Sequence, residues 1–218
     1  MLAVLNDKGW RLTHLLNTHH HGDHVGGNRE LKRATGCRVV GSAKDRTRIP
    51  GIDQGVSEGE RVRLGASEAL VMEVSGHTVG HIAFWFQDEK ALFCGDTLFS
   101  LGCGRLFEGT ARQMWESLDK IRALPGDTRV YCAHEYTQEN GRFAMTVEPE
   151  NPALQARLEE VANAREARRP TVPSLLAEEM AANPFLRPES AEMRLRLGLA
   201  EAPNWQVFEA VRRLKDRF

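Results

Sequence analysis

Thr18-His19-His20-His21-Gly22-Asp23-His24 constrains this chain more than any other stretch. It follows the apolar run Leu12–Leu16 directly, so an extended segment delivers His19, His21, Asp23 and His24 in metal-ligand spacing. Alternating His19 and His21 share one face of an extended backbone, while Asp23 and His24 follow on a turn and point elsewhere. That suits two adjacent cations better than one, since a zinc-type ion takes three or four nitrogen or oxygen donors and a catalytic site keeps one position for water. A purification tag or unstructured His tract also gives consecutive histidines, but this run is internal, contains Asp and lies between a strand and a helix.

Three further positions complete a candidate constellation: Gly76-His77-Thr78, Gly95-Asp96-Thr97 and Ala133-His134-Glu135. Each follows a short apolar run (Met72 and Val74, Ala91–Cys94, Val130–Cys132) and so falls at a strand end, where a rigid sheet presents reactive groups. Singly, each His reads as a hydrogen-bonded structural residue and the Asp as a turn former. Together they supply the donors for two cations.

The patterning divides the chain near residue 136. Before it, β-like runs are expected at Leu12–Leu16, Arg38–Val40, Arg61–Leu64, Leu70–Val74, Ile82–Phe86, Ala91–Cys94 and Arg129–Cys132. Helices are expected at Gly27–Ala34 and from Thr110, where Thr110 and Gln113 have capping-box spacing. After residue 137 no strand pattern remains, and Ala153–Arg168, Ser174–Ala182 and Asn204–Arg217 read as helices between Pro-bearing breaks. All eight His lie in the first part, which assigns metal chemistry to residues 1–136 and another task to a helical unit, 137–218. With 29 Lys plus Arg against 30 Asp plus Glu, general nucleic-acid or membrane-surface binding is not expected. The four scattered cysteines, without a Cys-x-x-Cys pair, point to a reducing compartment. No apolar run approaches the roughly 20 residues that span a bilayer, and no signal peptide is read, so a cytoplasmic location is expected.

The His-x-His-x-Asp-His run followed by His, Asp and His at successive strand ends resembles the metallo-β-lactamase superfamily. Within it, Gly95–Phe99, Gly102–Thr110, Tyr131–Thr137, Pro170–Ser174, Asn183–Arg187 and Val211–Asp216 resemble glyoxalase II, the hydroxyacylglutathione hydrolases, nearly end to end. The resemblance implies an α/β fold: an αββα metallo-β-lactamase domain with a C-terminal helical, glutathione-binding domain. It implies that His19, His21 and His77 hold one metal, that Asp23, His24 and His134 hold another, and that Asp96 bridges them, with Asp23 and Asp96 also counted as catalytic. Paired cations about 3.5–4 Å apart can hold a hydroxide between them. The implied reaction is hydrolysis of S-D-lactoylglutathione, an S-(2-hydroxyacyl)glutathione, to D-lactate and glutathione by that hydroxide. The implied cofactors are two divalent ions, zinc first, with iron or manganese accepted by the same donors.

His20 and His81 fall outside the implied ligand set as outer residues, and His14 reads as structural. The run Ala210–Phe218 carries Arg212, Arg213, Lys215 and Arg217 against Asp216. Such a run is ordinarily a solvated helix face; the resemblance makes Arg212 and Lys215, at i and i+3, a pair for glutathione carboxylates. Arg105, Tyr136 and His134 are similar to the remaining substrate contacts, and Phe107 stands where the family commonly has Tyr. The family also begins with strands that precede the helix ending here at Gly9, so the first N-terminal strands are expected to be lacking. Two rivals follow: a mononuclear-iron sulfur dioxygenase acting on glutathione persulfide, and a truncated, inactive metal-binding chain. A monomer is expected.

Overall fold

The computed structural model describes residues 1–218. The elements run α1 (Leu2–Lys8), β1 (His14–Leu16), α2 (Gly22–Val25), α3 (Asn28–Thr35), β2 (Arg38–Ser42), β3 (Gln54–Val56), β4 (Arg61–Leu64), β5 (Ser67–Glu73), β6 (Ile82–Phe86) and β7 (Ala91–Gly95). Then come β8 (Leu98–Phe99), β9 (Gly102–Cys103), α4 (Ala111–Arg122), β10 (Arg129–Cys132), α5 (Thr137–Val147), α6 (Pro152–Glu166), β11 (Ser174–Leu175), α7 (Leu176–Ala182), α8 (Ala191–Leu197) and α9 (Asn204–Lys215).

Two sheets face each other. The smaller is parallel, in the order β1-β2-β3; the larger runs β11-β10-β7-β6-β5-β4. The period-2 alternation of β6 explains the layering. Ile82, Phe84 and Phe86 point between the sheets to meet Val40, Val56, Val62 and Val71. Ala83 and Trp85 point the other way, with Met72, Val74 and Leu92, onto α4 and the C-terminal helices. Val25, Val39 and Ile49 fill a third cluster on the outer face of the small sheet. The expected αββα order is present. On α4, Met114, Trp115, Leu118 and Ile121 recur at helical spacing and are buried, and the Thr110–Gln113 capping box forms in both directions.

Three expectations need correction. Asp23 and His24 lie on a short helix, α2, rather than on a turn. The chain after residue 137 does contribute a strand: Ser174–Leu175 pairs antiparallel with β10, so the segment read as one helix from Ser174 starts that helix at Leu176. Pro173 cannot donate a helical or ladder hydrogen bond, and the residues after it satisfy the open edge of β10 instead. The parallel strand β3 and the β8–β9 hairpin carry no pattern long enough to register in the sequence. At the N-terminal side, α1 has no buried side chain, β1 is an edge strand, and a cleft of about 470 Å³ opens between the sheets beside Leu16, Leu64, Phe93 and Tyr131.

Candidate metal centre

Every expected ligand sits in a loop or first helical turn after a strand of the two sheets, and all seven converge. His19 Nε2 lies 3.1 Å and His77 Nε2 3.0 Å from His21 Nδ1. With its Nδ1 donating to a carbonyl, His77 turns the Nε2 lone pair inward, and three ring nitrogens meeting this closely are a ready donor set for a cation. Partners on the far ring nitrogens set these orientations: Thr18 Oγ1 is 3.1 Å from His19 Nδ1, and His77 Nδ1 donates to the Arg105 carbonyl at 2.9 Å. Burial, and behind it the neighbouring histidines, pushes His19 far down; burial also lowers His21 and His77. Neutral imidazole is the ligating form.

The second set is Asp23, His24 and His134. Asp23 Oδ2 is 3.4 Å from His24 Nε2 and 3.4 Å from His134 Nε2. Asp96 reaches both sets: Oδ1 is 3.3 Å from His24 Nε2, and Oδ2 is 3.4 Å from His134 Nε2 and 3.6 Å from His77 Nε2. His24 Nε2 and Asp96 Oδ1 are buried yet lack a hydrogen-bond partner in acceptable geometry. Two orphaned polar atoms facing each other fit a site completed by a cation. Burial works against charge on both, but their mutual attraction prevails, so His24 is raised and the Asp96 carboxyl lowered.

His81 is fully buried, stacked on His19 with ring centroids 4.5 Å apart. Its Nε2 accepts the Asp96 N–H at 3.1 Å and its Nδ1 lies 3.3 Å from Thr97 Oγ1. Burial lowers it to about 3, so it stays neutral and fixes the backbone of Asp96. His20 turns away from the cluster toward Asp45 Oδ2 (3.4 Å) and Glu108 Oε1 (3.6 Å). Arg48 joins both acids, 2.6 Å from Asp45 and 2.5 Å from Glu108, and holds the Glu108 carboxyl down to about 2. Sequence reasoning missed this network; a lone Asp after Ser42-Ala43-Lys44 has no spacing signal. His14 lies on β1, away from the cluster, with its Nδ1 3.0 Å from Thr13 Oγ1.

A cavity of about 910 Å³ opens over the cluster. His21, Asp23, His77, Asp96 and His134 form its floor, and Arg105, Phe107, Tyr136, Arg212 and Lys215 lie on its walls. Phe107 is 62% exposed and meets His21 and His77 edge-on, an apolar wall without a hydroxyl. Tyr136 stacks on His134 at 4.9 Å. Arg212 is only 4% exposed: Nη1 donates to the Cys103 carbonyl at 2.9 Å and Nη2 pairs with Asp216 at 2.9 Å. Lys215 Nζ lies 3.6 Å from Glu139 Oε1, and burial lowers it against the pull of Glu139. Gly104 lets the wall approach the floor. A Cβ there would strike the Asp96 carbonyl oxygen and come within 3.0 Å of His77 Nδ1. Gly104→Ala is expected to cost about 1–3 kcal/mol; an unchanged melting curve would show that the loop yields freely.

Two facing sheets between helical layers, with paired His/Asp clusters at the strand ends, define a metallo-β-lactamase-type metalloprotein, and the metallo-beta-lactamase superfamily model matches residues 2–134. Residues 135–218 match the model for the hydroxyacylglutathione hydrolase C-terminus. The chain is 63% identical over 218 residues to a hydroxyacylglutathione hydrolase of Methylococcus capsulatus, covering 100% of this chain and 85% of that one. It is 56% identical, with the same coverage, to one of Rhodospirillum rubrum. The chain belongs to the hydroxyacylglutathione hydrolase family. Among solved structures it is similar to ETHE1 from Myxococcus xanthus, with a TM-score of 0.65 and 25% identity, over 96% of this chain and 79% of that one. It is also similar to TTHA1623 in a di-iron-bound form, with a TM-score of 0.52 and 29% identity, over 61% and 75%. Family and clusters together make this a divalent-metal site. No helix is long and apolar enough to cross a membrane.

Proposed function

We propose that this chain hydrolyses S-(2-hydroxyacyl)glutathione, with S-D-lactoylglutathione as the type substrate, to the free hydroxy acid and glutathione. The observation that carries the reading is the convergence of seven donors, five of them on the floor of a cavity that Arg105, Tyr136 and Lys215 also line. In a chain of this family, that pairs a hydrolytic centre with a surface for an anionic thiol conjugate.

His19, His21 and His77 would hold one cation and Asp23, His24 and His134 a second, with Asp96 shared. Imidazole and carboxylate donors without thiolate suit zinc and also accept iron or manganese. When bound, the cations supply Lewis acidity for the thioester carbonyl and a more acidic water. Asp23 faces the cavity with its side chain 60% exposed, so its carboxylate is placed to take a proton from the attacking water. A C–O bond forms as the C–S bond breaks, and the thiolate leaves without requiring a general acid. Phe107 shields the thiol end from water, Arg105 and Tyr136 flank the peptide, and Lys215, backed by Arg212, meets a carboxylate. Residues 1–136 would thus do the chemistry and supply the contacts near the thioester, and 137–218 would hold the far end of the substrate through Lys215.

The test is thioester turnover by purified protein, read as thiol release with metal content measured on the same sample. Turnover with a metal-loaded chain supports the reading. Oxygen uptake with glutathione persulfide instead, at one iron per chain, would favour a sulfur dioxygenase; metal uptake with neither reaction would mark an inert chain. The glutathione side is probed by Lys215→Glu, expected to raise KM far more than it lowers kcat, because the contact lies away from the scissile bond. One lost charge-assisted contact costs about 1.5–3 kcal/mol, roughly ten- to a hundred-fold in kcat/KM. Unaltered KM would leave Lys215 a structural partner of Glu139 with no part in holding substrate.

A further inference from the structure

Beyond its own short ladder, the hairpin between Asp96 and Arg105 is held by side chains from the C-terminal helices and the residue that caps one of them. Asn183 Nδ2 donates to the Phe99 carbonyl at 3.1 Å and the Gly102 carbonyl at 3.0 Å. Asn140 Nδ2 donates to the Ser100 carbonyl at 3.1 Å, and Arg212 to that of Cys103. Glu179 accepts the Leu101 N–H at 2.8 Å and is braced by Asn183 at 3.0 Å. Five consecutive residues therefore each have a backbone group satisfied by a residue between 140 and 212.

The tip is anchored as well. Leu101 sits at φ 57, a left-handed conformation that costs a non-glycine residue energy and persists only where its surroundings impose it. Its side chain is buried with Ala144, Leu154 and Ala182, residues of α5, α6 and α7. Asn140, Glu179 and Asn183 are at most 6% exposed, so each lost bond would leave a buried carbonyl or amide without water.

Both ends of this hairpin enter the metal centre. One end follows Asp96, the carboxylate that reaches both donor sets. The other supplies the Arg105 carbonyl, which holds His77 Nδ1 and so aims Nε2 at the floor. We infer that Asn183, Glu179 and Asn140 are positioning residues for the metal centre: the helical domain sets the spacing of Asp96 and His77 by clamping the loop between them. The helices would then tune the metal site as well as hold substrate. This rests on the metal-site reading above.

The test is zinc titration and thermal unfolding of metal-free and zinc-loaded protein, for wild type, Asn183→Ala, Asn140→Ala and Glu179→Gln. Residues that orient ligands through such outer hydrogen bonds typically carry 10–100-fold in metal affinity. Asn183→Ala and Asn140→Ala are expected to weaken zinc binding about tenfold, so the rise in Tm on adding zinc shrinks. Burial pushes the Glu179 carboxyl above its ordinary range, so neutral, isosteric Gln should keep affinity within about twofold. A scaffold role alone lowers Tm equally with and without zinc and leaves the titration unchanged; that outcome overturns the inference. If Asn183→Ala does not fold, Asn140→Ala, which loses a single bond, decides it. Wild type taking up no zinc would overturn the metal-site reading and the clamp with it, whereas normal wild-type uptake with unchanged variants overturns the clamp alone.

Discussion

Asp96→Ala is expected to lower kcat/KM by at least about a thousand-fold and to reduce metal content in both clusters, because metal assistance contributes several kcal/mol and each 1.4 kcal/mol is tenfold in rate. Asp96 Oδ1 and Oδ2 approach His24, His134 and His77 between 3.3 and 3.6 Å, so its carboxylate reaches residues of both donor sets. With two cations bound as proposed, removing it would take negative charge from between them and raise their repulsion. Asp96→Asn separates the effects: it keeps volume and one acceptor oxygen but drops the charge. Asn should fold as wild type and still lose metal. Elemental analysis finding full occupancy in the Ala variant would sink the shared-ligand role.

The fold was legible where one element carries its own periodicity. Ile82–Phe86 alternates faithfully between two cores, and Thr110 with Gln113 announces the start of α4. The candidate donors were legible for a related reason: four cluster in sequence and three follow apolar runs, and the resemblance to glyoxalase II set them apart from His20 and His81. What escaped depends on partners distant in sequence. Gln54-Gly55-Val56 becomes a strand only because β2 offers a parallel edge, and Ser174–Leu175 because β10 does. Arg212 reads from its neighbours as part of a solvated basic face. It is buried because Phe185 lies beneath its guanidinium and a carbonyl 109 residues away accepts from it. Glu179 and Asn183 likewise look like ordinary helix-end residues until the hairpin from Phe99 to Cys103 is placed against them.

His77→Ala and His134→Ala should separate the two clusters. His77 Nε2 stands 3.0 Å from His21 and belongs with His19, whereas His134 Nε2 stands 3.4 Å from Asp23 and belongs with His24. Each substitution leaves its own cluster with two donors plus Asp96, one fewer than its full set and without the fourth protein donor that closes a tight zinc site, while the other keeps its full set. One equivalent of zinc should therefore be lost from each variant, with kcat falling about a hundred-fold or more, since outer ligand partners alone carry up to that much. The two variants need not be equal. His77 is 4% exposed and anchored by the Arg105 carbonyl, so its loss also frees one end of the hairpin, and Asp96 should be disturbed from both sides. His134 is more open, with its side chain 26% exposed, and its loss chiefly unstacks Tyr136 from the cavity wall. His134→Ala should then raise KM as well as lower kcat, whereas His77→Ala should act almost wholly on kcat. Spectra of cobalt-substituted protein would report whether the three-nitrogen cluster of His19, His21 and His77 is kept; finding that His134→Ala empties the His19–His21 pair first would overturn the assignment of ligands to clusters.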